Sequence, residues 1–139
     1  MNQPEPVTEN LGVVDVRIPA KAEWVAVARL AAAGVGSRLR FSIDDIEDLK
    51  LAIAEACTSV IQSSEGAESI DIRCESLADE LRVTVQGDGR GAKPERVRAD
   101  DSGITGLGIF LVRSLMDTVD YEVDSKRGPR VVMSKRVQN

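Results

Sequence analysis

SIDDIEDLKLAIAEACTSVIQS, residues 42–63, is the stretch whose reading decides the fold. Ile46, Leu49, Ile53, Cys57, Val60 and Ile61 recur at the spacing of one helix face. Ser42 stands where an N-cap belongs, and Asp44 and Asp45 place negative charge at the positive end of the helix dipole. The pattern predicts a helix from about Ser42 to Ser63, stopped before Gly66. A helix this long with one apolar stripe lies across a sheet and buries that stripe.

The flanking segments supply the sheet. Val13 to Pro19 alternates apolar and polar residues and reads as a strand. Ala20 to Gly36 carries Trp24, Val25, Val27, Ala28, Leu30 and Ala31 and reads as a helix, with Gly34 and Gly36 as candidate C-caps. Ser69 to Cys74 and the run through Leu81, Val83 and Val85 read as a hairpin turning at Leu77–Glu80. From Gly87 to Gly103 glycines and charges replace the pattern, which predicts a long loop. Gly106 to Val119 reads as a third helix, and Val119–Val123 with Arg130–Lys135 as a closing hairpin. The order predicts an α/β (α+β) two-layer sandwich: a mixed, mostly antiparallel sheet with the helices on one face. Residues 1–10, polar and holding Pro4 and Pro6, read as a flexible lead, and 11–139 as a single domain.

Composition narrows the chemistry. The 139 residues carry a net charge of -5, which argues against non-specific nucleic-acid binding and favours a basic protein surface as partner. No apolar run approaches the roughly 20 residues that span a bilayer, and the N-terminus lacks the basic start and apolar stretch of a signal peptide. A cytoplasmic protein with no membrane contact is expected. There is no histidine, and Cys57 and Cys74 form no CxxC pair, so neither a zinc site nor a serine-protease-like triad is expected. Both cysteines sit in apolar patterns and read as buried free thiols. Aromatics are only 3%, so the core must be aliphatic.

Two features have the makings of a site. Glu55 and Ser59 lie four apart on the long helix and share a face, with Asp48 near the same stripe. A carboxylate there can act as a general base or hold a metal-bound water; it also fits a solvated helix face. The second feature is a pair of glycine clusters, Gly87-Asp88-Gly89-Arg90-Gly91 and Thr105-Gly106-Leu107-Gly108. Glycines at a helix start let a phosphate approach unpaired N–H groups, and equally make a tight turn. Arg90, Lys93, Arg96 and Arg98 make the intervening loop basic.

The run Ile46–Gln62 resembles the first ATP-site helix of the RsbW-type anti-sigma factors, and Gly106–Asp117 their second glycine box with the helix behind it. Arg17–Ser42 is similar to their opening strand and helix, and VVMSKR to their last strand. The resemblance covers about Val13 to Arg136. It implies the Bergerat, or GHKL, ATP-binding fold of histidine kinases, gyrase and MutL, with ATP and magnesium as cofactors. It also implies a homodimer that holds a sigma factor inactive and phosphorylates a serine of a STAS-type anti-anti-sigma factor. On this resemblance Glu55 falls on the base or water-positioning glutamate, Thr58 on a threonine beside the magnesium ligand, and Gly106 and Gly108 on the second glycine box.

Two positions depart from the family pattern. Ser59 stands where an asparagine ligates the magnesium, and Gly87 where an aspartate bonds the adenine amino group; Gly89 and Gly91 fit the remaining glycines of that box. Asp88 is one residue out of register and points to the opposite strand face. Losing the aspartate alone weakens binding by about tenfold to a hundredfold. The expected function is therefore sigma-factor sequestration within a partner-switching stress response, with reduced or absent ATP binding. An active serine kinase, or a degenerate regulatory subunit paired with an active homologue, are the alternatives.

Overall fold

The structure, a computed structural model, describes residues 12–64, 66–87, 106–124 and 127–137. Five strands form one antiparallel sheet in the order β1-β2-β3-β5-β4. They are β1 (Gly12–Pro19), β2 (Ser69–Ser76), β3 (Glu80–Gly87), β4 (Thr118–Asp124) and β5 (Gly128–Arg136). Three helices cover one face: α1 (Val25–Arg38), α2 (Ile43–Ser63) and α3 (Gly106–Leu115). This is the expected two-layer sandwich, with every strand pair antiparallel rather than mixed.

Alternation along the strands separates the two faces. Val16, Ile72, Val85, Val131 and Tyr121 form one transverse row across the sheet, since each is paired with the next. Ile72, Val85 and Val131 are fully buried under the helices. The opposite face is charged and ion-paired. Arg17 reaches Asp71 at 2.7 Å and Arg73 reaches Asp15 at 2.8 Å. A groove of about 640 Å³ on this face is lined by those four residues, with Arg127 and Arg130 at its far side. It lies across the sheet from the helices.

The long helix is Ile43–Ser63 with Ser42 as its N-cap, the hydroxyl accepting from the Asp45 amide at 3.0 Å. Leu49, Ala52, Ile53, Ala56, Cys57 and Val60 are its buried side. α1 differs from expectation at both ends. A single 3-10 turn, Ala22–Trp24, precedes it, and the helix runs through Gly34 and Gly36 to Arg38, so neither glycine caps it. The chain turns at Arg40 instead, with φ of 68°. Gly36 serves packing: a Cβ there would sit 3.1 Å from Phe41 and 3.2 Å from Leu49, so its absence lets α1 press on α2.

α3 ends at Leu115, short of the expected Val119, because Thr118 and Val119 join the sheet opposite Ser134 and Met133. Lys135 explains where it stops. Its ammonium donates to the Leu115 carbonyl at 2.7 Å and lies 3.9 Å from Asp45. One nearly buried cation thus meets the C-terminal end of α3 and the first turn of α2, each the end that favours its partner's charge. α2 and α3 must therefore run antiparallel, which carries the N-terminus of α3 toward the C-terminal half of α2.

Candidate functional site

The core is aliphatic except at one end. Ser59, Ser63 and Ser64, all on or just beyond the last turns of α2, are buried. Buried hydroxyls are costly in an apolar setting unless they have partners, so three together mark a polar end of the core. Ser64 donates to the Val60 carbonyl at 2.6 Å. From the sheet, the Tyr121 hydroxyl comes up beside Ser63. Burial raises its pKa, and the Ser63 hydroxyl offsets part of that rise. The phenol oxygen itself is buried with no hydrogen-bond partner among the described residues.

Gly87 closes this end of the sheet. It is the last residue of β3, and its Cβ direction is that of Leu81, Val83 and Val85, toward the helices. The room there is taken: a Cβ would lie 2.7 Å from the Ser64 hydroxyl and 3.2 Å from the Arg127 carbonyl. On the other face the Gln86 amide donates to that same carbonyl at 3.3 Å, fixing the start of β5 against the end of β3.

The sequence-predicted site residues divide accordingly. Glu55 and Thr58 are half-buried on α2, while Ser59 is 5% exposed. Ser59 thus turns into the core side, and Glu55, one turn earlier, stays at the solvent border; the shared face anticipated from spacing is split by burial. Gly106 opens α3 and Gly108 is buried in its first turn, so the glycine pair does begin a helix. Gly89, Gly91, Asp88 and the basic residues Arg90, Lys93, Arg96 and Arg98 lie outside the described residues. Ser63, Ser64 and Tyr121 were missed. Ser63 and Ser64 adjoin the predicted helix end, and only their burial distinguishes them from a solvated cap.

The fit of a magnesium nucleotide to these residues is partial. A helix start with Gly106 and Gly108 suits phosphate. The donors for a metal are poor: Ser59 offers one hydroxyl, and no group of three or more His, Cys, Asp or Glu capable of holding a metal occurs among the described residues. Gly87 brings no carboxylate, and a Cβ there would require the Ser64 hydroxyl to shift and the Arg127 carbonyl to give. The residues present do not fit the full group, and no chemical step is derived through it.

Comparison with known proteins places the chain. Residues 18–135 match the family described as histidine kinase-like ATPase domain. Serine-protein kinase RsbW of Bacillus cereus strain ATCC 10987 is 36% identical over 94% of this chain and 88% of its own length. RsbW of Bacillus thuringiensis subsp. konkukian is 36% identical, and that of Bacillus mycoides 34%, over the same shares. Among solved structures, the histidine kinase domain of the Erythrobacter litoralis EL346 blue-light activated histidine kinase aligns with a TM-score of 0.56 at 18% identity. That alignment covers 97% of this chain and 66% of the other. A second structure of the same kinase gives 0.58 at 21% identity, covering 86% of this chain and 42% of that one. These likenesses show the shared fold. With nearly its whole length matched, the chain belongs to the histidine kinase-like ATPase family, among its RsbW-type members.

Proposed function

We propose that this chain is an anti-sigma factor that acts by sequestration in a partner-switching pathway, with nucleotide binding reduced relative to its relatives. The observation that supports this reading is in the sequence: Ser59 and Gly87 stand where the family resemblance puts the magnesium asparagine and the adenine aspartate. The rest of the fold, and the sequence likeness across it, are retained. Sequestration needs a surface, not phosphoryl transfer. The start of α1 supplies a suitable one: Trp24 in the 3-10 turn before it, and Val27 and Leu30 on it, are exposed apolar residues, while the helix's opposite side packs on the core. In this reading the protein works in the cytoplasm, as a homodimer, against a sigma factor and a STAS-type antagonist.

The test is capture from the native cell with the full chain as bait, alongside calorimetric titration with magnesium-ATP. Recovery of a sigma factor that is released by an anti-anti-sigma protein, with ATP binding weak or absent, supports the reading. Failure to retain any sigma factor overturns it.

A serine kinase is the second reading, favoured by two retained features: Glu55 one turn before Ser59, and the glycine-started α3. It requires phosphate transfer from ATP to the antagonist's serine, with transfer lost in Glu55→Ala. Tight magnesium-dependent ATP binding by the natural chain would favour this reading over the first.

A further inference from the structure

The sheet ends in β1 on one side and β4 on the other, and the two edges differ in charge pattern. On β4 the open face carries Asp120, Glu122 and Asp124. A second β4 laid antiparallel beside it would set acid against acid in any register that overlaps most of the strand, which guards that edge against self-pairing. β1 has no such guard. Its open-face residues are Val13, Asp15 and Arg17, with one acid and one base two apart. Val13 and Val14, on opposite faces of the strand, are 43% and 41% exposed. Among the described residues no strand lies on the outer side of β1.

Charge selects how two copies of this edge would fit. For two β1 strands antiparallel about a two-fold axis normal to the sheet, a shift by one residue sets helix-face side chains against open-face ones and is excluded. With the axis at Asp15 that carboxylate opposes itself, and with the axis at Arg17 the guanidinium does. At Val16, midway between them, both clashes turn into matches. Asp15 then opposes Arg17 of the second copy, and Val14 opposes Ile18. The ion pairs within each sheet continue the pattern, since Arg73 reaches Asp15 at 2.8 Å and Arg17 reaches Asp71 at 2.7 Å. Across the axis the row runs Arg73, Asp15, then Arg17 and Asp71 of the second copy, alternating in sign over four strands.

We propose that β1 is the seam of the homodimer: two copies pair their β1 strands antiparallel about an axis through Val16, with Asp15 against Arg17 on both sides of it. The inference rests on the homodimer part of the reading above and is independent of nucleotide and of the sigma partner. Backbone hydrogen bonds along the joined strands supply affinity, and the opposed charges fix the register.

The experiment is sedimentation of the full chain and its variants over a range of concentrations, with thermal melts alongside. The natural chain is expected to be a dimer. Asp15→Arg and Arg17→Asp should each weaken it by about tenfold or more, because two opposed pairs become like-charge pairs. Mixed in equal amounts, the two variants should form a heterodimer, since each now supplies what the other lacks. Arg73→Ala, which breaks the same in-sheet pair as Asp15→Arg but keeps both β1 charges, should remain dimeric. Val16→Cys reads the register without any charge change. It stands opposite itself and should couple two chains on mild oxidation, whereas Val13→Cys, opposite Pro19, should not. Dimers unaffected by either charge reversal, or reversals that mixing does not rescue, overturn the seam while leaving the homodimer in place. Loss of the dimer in Arg73→Ala, or coupling through Val13→Cys and not Val16→Cys, overturns it equally. A natural chain that stays monomeric at every concentration overturns the homodimer itself, and the seam with it.

Discussion

Burial sets the chemistry of both thiols. Cys57 on α2 is pushed up from 9.0 to about 12, first by desolvation and then by the nearby Cys74. Cys74 on β2 is pushed up to about 11, again by burial first and then by Asp15. Only a thiolate attacks disulfides or alkylating agents. At pH 8 neither cysteine should react with Ellman's reagent in the native protein, and both should react at once in denaturant. The same shifts make stability depend on pH. Below pH 9 both folded and unfolded chains keep the protons; above it the unfolded thiols ionise while the folded ones remain neutral. Stability therefore falls as pH rises from about 9 toward 11–12, and denaturant melts at pH 8 and pH 10 should show the loss. Buried free thiols were legible from the apolar pattern around each cysteine. The split between Glu55 and Ser59 was not, because helical spacing gives angular position but not what the neighbouring strands cover. Nor was Ser64 beside Gly87: a strand end meeting a helix end is a tertiary contact with no local sequence mark.

Helix ends carry the next set of expectations. Removing the Ser42 cap by Ser42→Ala leaves the Asp45 amide without its hydroxyl acceptor and should cost about 1 kcal/mol, read from the shift in denaturant midpoint. Lys135→Ala should cost more, about 1–3 kcal/mol, since it strips the Leu115 carbonyl of a charged donor and Asp45 of its nearby cation. Lys135→Arg should recover less than all of it, because a planar guanidinium is a poor substitute for a compact ammonium in a tight site. α2 was read almost to the residue, since cap, dipole charges and stripe all agree there. α1 was misread at its C-terminus because glycine ordinarily stops helices, whereas Gly36 is present for the closeness of α2. α3 was read too long. Val119 suits a helix or a strand equally, and its pairing with Met133 decides the matter.

Across the whole molecule, α2 is the beam on which the aliphatic core rests. Ile53 is fully buried at its middle, and Ile53→Ala should cost about 2–5 kcal/mol in a denaturant melt through the cavity it leaves. The layer arrangement followed from the order of elements. The strand order did not: alternation assigns a face to each residue, but nothing local says that β5 inserts between β3 and β4.

That insertion bears on how the chain comes to be folded during its synthesis. β3 is translated some forty residues before β5, its neighbour on one side, and β4 cannot join the sheet except through β5. Until β5 leaves the ribosome, Leu81, Val83 and Val85 have β2 on one side and an open edge on the other. Growth at about 5–20 residues per second makes that exposure last for seconds. The nascent chain is therefore a natural client for a holding chaperone, and the sheet closes only when its most central late strand arrives.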